Sequence, residues 1–162
     1  MDDHMILRRL EIQDADRGFM TLLGQLTSAP DVSRGEFEEQ YNAREQQACH
    51  TLVIEDTKSG QIVGTASLLI ERKFIRGCSK AGHIEDVVVD ASYRGQQLGR
   101  RLIEALVAMA RTIGCYKVIL DCAKDNADFY TKCSFEEKGV EMAQYLTKSE
   151  PWWIASSATG KH

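Results

Sequence analysis

Adjacent carboxylates at Glu85 and Asp86 stand in the run HIEDVVVD (83–90), and three residues later begins the stretch YRGQQLGRRL. A carboxylate can take a proton from a reacting group directly or through water. Neighbours in a strand point to opposite faces, so these two cannot face one another as a dyad. The plainer alternative is a pair of surface carboxylates, although burying either beside three valines is costly without a partner. In the second stretch Arg94 and a glycine-bearing turn lead straight into an amphipathic helix. A helix N-terminus leaves about four N–H groups unpaired and carries about half a positive charge. With Gly95 and Gly99 letting backbone approach a ligand, the turn suits a diphosphate. A tight turn with a solvated arginine is the alternative. The spacing is neither the G-x-x-x-x-G-K-[ST] phosphate loop nor the dinucleotide G-x-G-x-x-G.

A third group is basic. ERKFIRGCSK sets Arg72, Lys73, Arg76 and Lys80 against the single carboxylate of Glu71, inside a chain whose formal charge is -4. Such a patch favours an anionic ligand, with a solvated loop as the alternative. Five cysteines, an odd number with no C-x-x-C pair, fit free thiols in a reducing compartment. Cys122 or Cys133 as an acyl-carrying nucleophile is disfavoured, because neither has a histidine nearby in sequence. The four histidines lie far apart and none has metal-ligand spacing, so no metal is expected.

These groups need elements to hold them. The 162 residues, 43% hydrophobic and 27% charged, are expected to fold as one domain over 1–162 with a tail at 151–162. Net negative charge argues against a general nucleic-acid or membrane-surface binder. No apolar run reaches the roughly 18 residues of a membrane span, and MDDHMILRR lacks a signal peptide's pattern. A cytoplasmic location is expected, with an organelle as the alternative. MILRRL (5–10) reads as a strand, followed by helices at about 14–26 and 34–46. CHTLVIED (49–56) and QIVGTASLLIER (61–72) read as a hairpin closed by TKSG. KFIRGCSKAG is a basic loop before the strand at 83–90. A helix from near Gln97 aligns Leu98, Leu102, Ala105, Leu106, Met109, Ala110 and Ile113 on one face. YKVILDC (116–122) is a strand, NADFYTKC a short helix and FEEKGVEMAQYL a last strand. In the strand at 116–122, alternation puts Lys117, Ile119 and Asp121 on one face. The fold class is α/β, a mixed sheet flanked by helices, with parallel pairing around the 97–112 helix. The adjacent tryptophans of PWWIAS read most simply as packing into a groove.

The turn at 94–99 resembles the coenzyme-A-binding turn of GNAT-type N-acetyltransferases, whose pattern is Gln/Arg-x-x-Gly-x-Gly/Ala after the fourth strand. Arg94 and Gly99 match it, and Gln97 stands where the pattern has Gly. Taken in order, IERKFI, GHIEDVVVD, GCYKVILDC and NADFYTKCSF resemble the glucosamine 6-phosphate N-acetyltransferases, a family on the route to UDP-N-acetylglucosamine. The likeness is strongest from about Ile70 to Met142. It implies a GNAT fold, acetyl-coenzyme A (acetyl-CoA) as donor, direct attack by the amine, and a homodimer with substrate pockets near the subunit interface. It also implies that Val87, Val88, Val89, Arg94, Gly95, Gln96, Gln97, Leu98, Gly99, Arg100, Asn126, Tyr130 and Lys132 bind the coenzyme A (CoA) moiety. For the amino-sugar phosphate it implies Thr27, Lys73, Phe74, Ile75, Arg76, Glu85, Asp86, Tyr116, Lys117 and Asp121. Glu85, Asp86 and Asp121 are its candidates for handling the amine and its proton, and Tyr130 for protonating the departing thiolate. The resembled family often carries an Arg in the last strand; here EMAQYLTK offers Lys148. Acetyl transfer to another amine, or a CoA-binding domain without turnover, are the alternatives.

Overall fold

The computed structural model describes residues 3–146. Among these, five strands form one sheet in the order β1 (Met5–Arg9), β2 (Cys49–Asp56), β3 (Gln61–Arg72), β4 (Lys80–Val89) and β5 (Cys115–Ile119). The first four pair antiparallel, and β5 joins β4 in parallel. The crossover between those two is α4 (Leu98–Ile113). The sheet is therefore mixed, as its hydrophobic patterning leads one to expect.

Both faces of the sheet are covered, because the apolar runs of β2, β3 and β4 present side chains in both directions. Ile54, Ala66, Leu68 and Ile84 pack with Leu98, Leu102, Ile103, Leu106 and Ala110 of α4. Val53, Ile62 and Val88 pack on the opposite side with Phe19 and Leu22 of α1 (Phe19–Leu23) and Phe37 of α2 (Arg34–Gln46). Successive residues Val53 and Ile54 thus belong to different layers, as the period of two requires. Each of the Val, Leu, Ile and Phe side chains, when fully buried, contributes about 1.5–3 kcal/mol. The start of α2 is set locally: Ser33 accepts from the Glu36 N–H, and the Glu36 carboxylate accepts from the Ser33 N–H. No helix among the described residues is long and apolar enough to cross a membrane.

Four expectations are corrected. The helix over 14–26 is instead a 3-10 segment, Ile12–Asp16, and the short α1. Asp14 is fully buried and accepts from both terminal nitrogens of Arg8 and from the Glu11 N–H, which holds this turn tight. Gly18, at φ 78, then turns the chain before α1 begins. The fourth strand starts at Lys80 rather than His83, because the basic loop is shorter than expected and closes in a four-residue turn, α3 (Ile75–Cys78). The fifth strand ends at Ile119, leaving Leu120–Cys122 outside the ladder. FEEKGVEMAQYL, expected as a last strand, has no strand partner among the described residues, and Val140, Met142, Tyr145 and Leu146 stand at 84% exposure or more. A strand without a neighbour has no ladder to join. Lys148 and the tryptophan pair of PWWIAS lie outside the described residues.

Candidate active site

The site is built around the place where β4 and β5 part. Pairing between them runs from Lys80↔Cys115 to His83↔Ile119 and stops, while β4 continues to Val89. From Ile84 onward the edge of β4 that faced β5 has no strand partner among the described residues, so its peptide groups can bond an extended ligand. On its other side β4 stays paired with β3, but the register slips between Thr65 and Ser67, opposite Glu85–Val88. Asp86 occupies that slip at φ 53, a left-handed conformation costing roughly 1–2 kcal/mol in a residue with a Cβ. The strict alternation expected of Glu85 and Asp86 is broken here, and both carboxylates are exposed.

Their surroundings differ. Asp86 lines a cavity of about 240 Å³ between α1, α2 and the sheet, with Thr65, Ser67, Tyr41 and Arg44 on its walls. Arg44 donates to the Thr51 and Ser67 hydroxyls at 3.0 and 2.9 Å, which fixes its guanidinium at the cavity floor. Glu85 is held above the usual carboxylate range by partial desolvation, and then by the negative charges of Asp86 and Asp121. The charge of Asp121 thus acts on Glu85, although not from a strand face shared with Lys117: Asp121 lies two residues beyond the end of β5.

Cations collect at the other end of β5. The Arg76 guanidinium lies 4.8 Å from the centre of the Tyr116 ring and the Lys117 ammonium 5.5 Å from it. Arg76, Gly77 and Cys78 are all left-handed, so the loop presents Arg76 at a conformational cost. Phe74 and Ile75 point into solvent on the same loop. Lys73 is tied down: its ammonium bonds one oxygen of Glu71 at 2.8 Å, while His83 Nε2 meets the other at 2.6 Å. The Lys73 bond, followed by His83, holds the Glu71 carboxyl below its ordinary range, and the same Glu71 bond raises Lys73. Sequence reasoning missed Glu71 and His83 in this role, since the bond joins residues twelve apart and leaves no local signal.

The turn into α4 has the shape a diphosphate needs. Gly95 is left-handed at φ 83 with open space where a Cβ would stand. Gln97, the residue before the helix, is also left-handed, at φ 64, and its side chain makes no capping bond. Gln97 therefore takes the backbone conformation for which glycine is suited, and leaves the first N–H groups of a 16-residue helix uncapped. Gly99 also serves packing: a Cβ there would come within 3.2 Å of the Phe129 ring, so its bareness makes room for a side chain of α5 (Ala127–Lys132). An open cavity of about 490 Å³ adjoins this turn, lined by Gln96, Gln97, Leu98, Arg100 and Arg101.

Tyr130 on α5 is half-buried, edge-on to Phe129 and Phe135 at 4.9 and 6.2 Å between ring centres. Burial raises its phenol above the ordinary value, with smaller contributions from Cys122 and Cys133. Cys133 is itself raised by burial, which keeps it a thiol and weakens it as a nucleophile. Asn126 and Lys132 bracket this helix and are exposed, and Ser134 follows it in a left-handed conformation at φ 68. Thr27 is exposed and lies beyond α1 rather than within a helix. Two residues before it, the Gln25 amide bonds Asp90 and the Ala91 N–H, placing this segment beside the approach to the turn.

The family model for acetyltransferases of the GNAT family matches residues 14–135. The glucosamine 6-phosphate N-acetyltransferase of Arabidopsis thaliana is 48% identical over 86% of this chain and 95% of its own. Glucosamine 6-phosphate N-acetyltransferase 1 of Dictyostelium discoideum is 45% identical over 90% of this chain and 94% of its own. The crystal structure of the Arabidopsis enzyme superposes with a TM-score of 0.86 at 45% identity, covering 88% of this chain and 99% of that one. The splayed strands, the uncapped helix and these likenesses agree, and the chain belongs to the GNAT family of acetyltransferases, similar over most of its length to the glucosamine 6-phosphate N-acetyltransferases.

Proposed function

We propose that this chain transfers the acetyl group of acetyl-CoA to the 2-amino group of D-glucosamine 6-phosphate, a step toward UDP-N-acetylglucosamine. The observation that carries the substrate is the partition of charge along β5. Arg76 and Lys117 sit over Tyr116 at its start, and Glu85 and Asp121 interact beyond its end. An acceptor with a phosphate at one end and an ammonium at the other matches that polarity, and neither a polyamine nor a neutral sugar does.

Acetyl-CoA supplies the acetyl group as an activated thioester. The uncapped amides from Gly95 to Arg100, with Arg94 beside them, hold the diphosphate. The free edge of β4 over Val87–Val89 lines up the extended arm, so that the thioester comes to lie beside Glu85. Leu98 anchors the turn by its burial, and Asn126, Tyr130 and Lys132 close the site from α5. Lys73, Arg76 and Lys117 receive the sugar phosphate, with Phe74, Ile75 and Tyr116 providing surface for the ring. Asp86, Asp121 and Thr27 hold the sugar and its ammonium. Glu85 takes the ammonium proton, directly or through water, freeing the lone pair for attack. Tyr130 gives a proton to the departing thiolate.

The deciding experiment measures thiol release from acetyl-CoA with glucosamine 6-phosphate, glucosamine, a polyamine and an aminoglycoside. Charge-assisted contacts to one phosphate lead us to expect kcat/KM at least about 10²-fold higher for the 6-phosphate than for glucosamine. Comparable values for the two would mean that Lys73, Arg76 and Lys117 read no phosphate. Release with none of the amines would leave only a CoA-binding domain.

In this reading the working unit is a homodimer. Val140 and Met142, spaced as strand neighbours on one face, and Tyr145 and Leu146 leave an extended segment open to water. Among the described residues the outer edge of β5 has no strand partner. Apolar patches of this kind mark interfaces, and an unpaired edge accepts a strand. Sedimentation at micromolar concentration is expected to give twice the 18.2 kDa chain mass. A fully active monomer would refute the dimer.

A further inference from the structure

The turn that faces the diphosphate is short of internal support. Downstream it is fixed by Leu98 and Leu102, which are buried under the sheet. Its own backbone runs through two left-handed residues, Gly95 and Gln97, and cannot brace itself as a helix does. Upstream the chain arrives through a single 3-10 turn, Ala91–Tyr93. The start of that approach is held by Gln25, which bonds Asp90 and the Ala91 N–H, and by the Asp90 N–H bond to Val63; its end, next to Arg94, is held by a further long-range contact. The Tyr93 hydroxyl donates to Asp56 Oδ2 at 2.7 Å across 37 residues of sequence.

Asp56 is the last residue of β2 and only 5% exposed. It accepts from the Lys58 N–H at 3.0 Å and from Ser59 Oγ at 3.1 Å, both inside its own hairpin turn, and His4 Nε2 lies 3.9 Å away. The Lys58 and Ser59 bonds secure the hairpin. The bond from Tyr93 ties that hairpin to the approach, at the residue immediately before Arg94. The Asp56 carboxyl lies below its ordinary range chiefly because of Tyr93, and the phenol is raised chiefly by Asp56, as a mutual charge-assisted bond requires. The Tyr93 ring also packs against the core on the α4 side of the sheet.

We infer that Asp56 and Tyr93 are positioning residues for the donor: their bond anchors the entrance of the turn to the β2–β3 hairpin and so sets the directions of the Gly95–Arg100 amides toward the CoA diphosphate. Neither side chain touches a reacting atom. Their effect is on donor binding, and it leaves the acceptor and the chemical step alone. The inference rests on the proposed acetyl-CoA site.

The test compares wild type with Tyr93→Phe, Asp56→Asn and Asp56→Ala, using calorimetric titration with CoA and separate KM values for acetyl-CoA and the acceptor. Losing one charge-assisted bond of this kind leads us to expect a roughly 5- to 20-fold rise in CoA Kd and acetyl-CoA KM in Tyr93→Phe. The kcat at saturating donor and the acceptor KM should stay within about twofold of wild type on the same principle of remote binding loss. Asp56→Asn keeps a carbonyl oxygen for the phenol and should bind nearly as wild type, whereas Asp56→Ala should match or exceed the Tyr93→Phe defect. An unchanged Kd in Tyr93→Phe overturns the inference. So does a rise in both KM values together with a lowered Tm, since that pattern belongs to general loosening. A wild-type protein that takes up no CoA would instead remove the proposed function itself, which Tyr93→Phe alone cannot do.

Discussion

Glu85→Gln is expected to lower kcat by about 10²–10³-fold near neutral pH, the usual contribution of a positioned general base, while CoA still binds. The direction of its titration gives a second signature. Desolvation, and then repulsion from Asp86 and Asp121, hold the Glu85 carboxyl above the ordinary range, and a base works only when ionised. Activity of the wild type should therefore rise as pH climbs through that elevated value, and this acid limb should vanish in Glu85→Gln. Asp86→Asn, which removes one of the repelling charges, should move the limb to lower pH. Stability runs the other way. A carboxyl whose folded pKa exceeds its unfolded one contributes stability below the unfolded value and loses it as pH rises through the folded value. Glu85→Gln should therefore unfold no earlier than wild type at pH 8. A kcat within a few fold of wild type would transfer the role of base away from Glu85.

The second large effect is expected from Tyr130→Phe. A phenol half-buried beside Phe129 and Phe135, and raised by that burial, keeps its proton through the neutral range and into alkali. It is suited to donate to a thiolate as the carbon–sulfur bond breaks. Removing one hydroxyl should cut kcat by about 10²-fold and leave the CoA Kd within about twofold, because the ring and its packing remain. Since the wild-type phenol stays protonated, its kcat should not fall between pH 7 and 9 on account of this group. Equal kcat for the two proteins would return Tyr130 to a packing role.

Much of this architecture can be read from residue order alone, and the reason is locality. The helix expected at about 34–46 is found at Arg34–Gln46, and the bonds that start it, between Ser33 and Glu36, lie within four residues. The two runs around TKSG carry their own turn chemistry and pair as Asp56↔Gln61. The apolar stripe of α4 is legible too, although Ile103, fully buried, was left out of it. What escaped depends on distant contacts. The first helix is broken at Gly18, which turns left-handed, and Arg8, from β1, holds Asp14 in the 3-10 turn before it. Asp86 leaves the alternation of β4 because β3 slips against it. The Glu71–His83 and Asp56–Tyr93 bonds join residues whose meeting depends on the sheet being assembled. For the site, the residue types were visible and their grouping only half so. Arg76, Tyr116 and Lys117 do meet, and the charge of Asp121 acts on Glu85 from beyond its own strand, while the bareness of Gly99 also makes room for Phe129.

The open placement of Cys78 in the basic loop and Cys122 after β5 has a practical outcome. Any colorimetric reagent that reports coenzyme release by disulfide exchange will also derivatise these two side chains, one on the loop proposed to receive phosphate and the other close to Tyr130. Progress curves recorded with the reagent present from the start would mix turnover with gradual self-inactivation. Quenching before colour development separates the two.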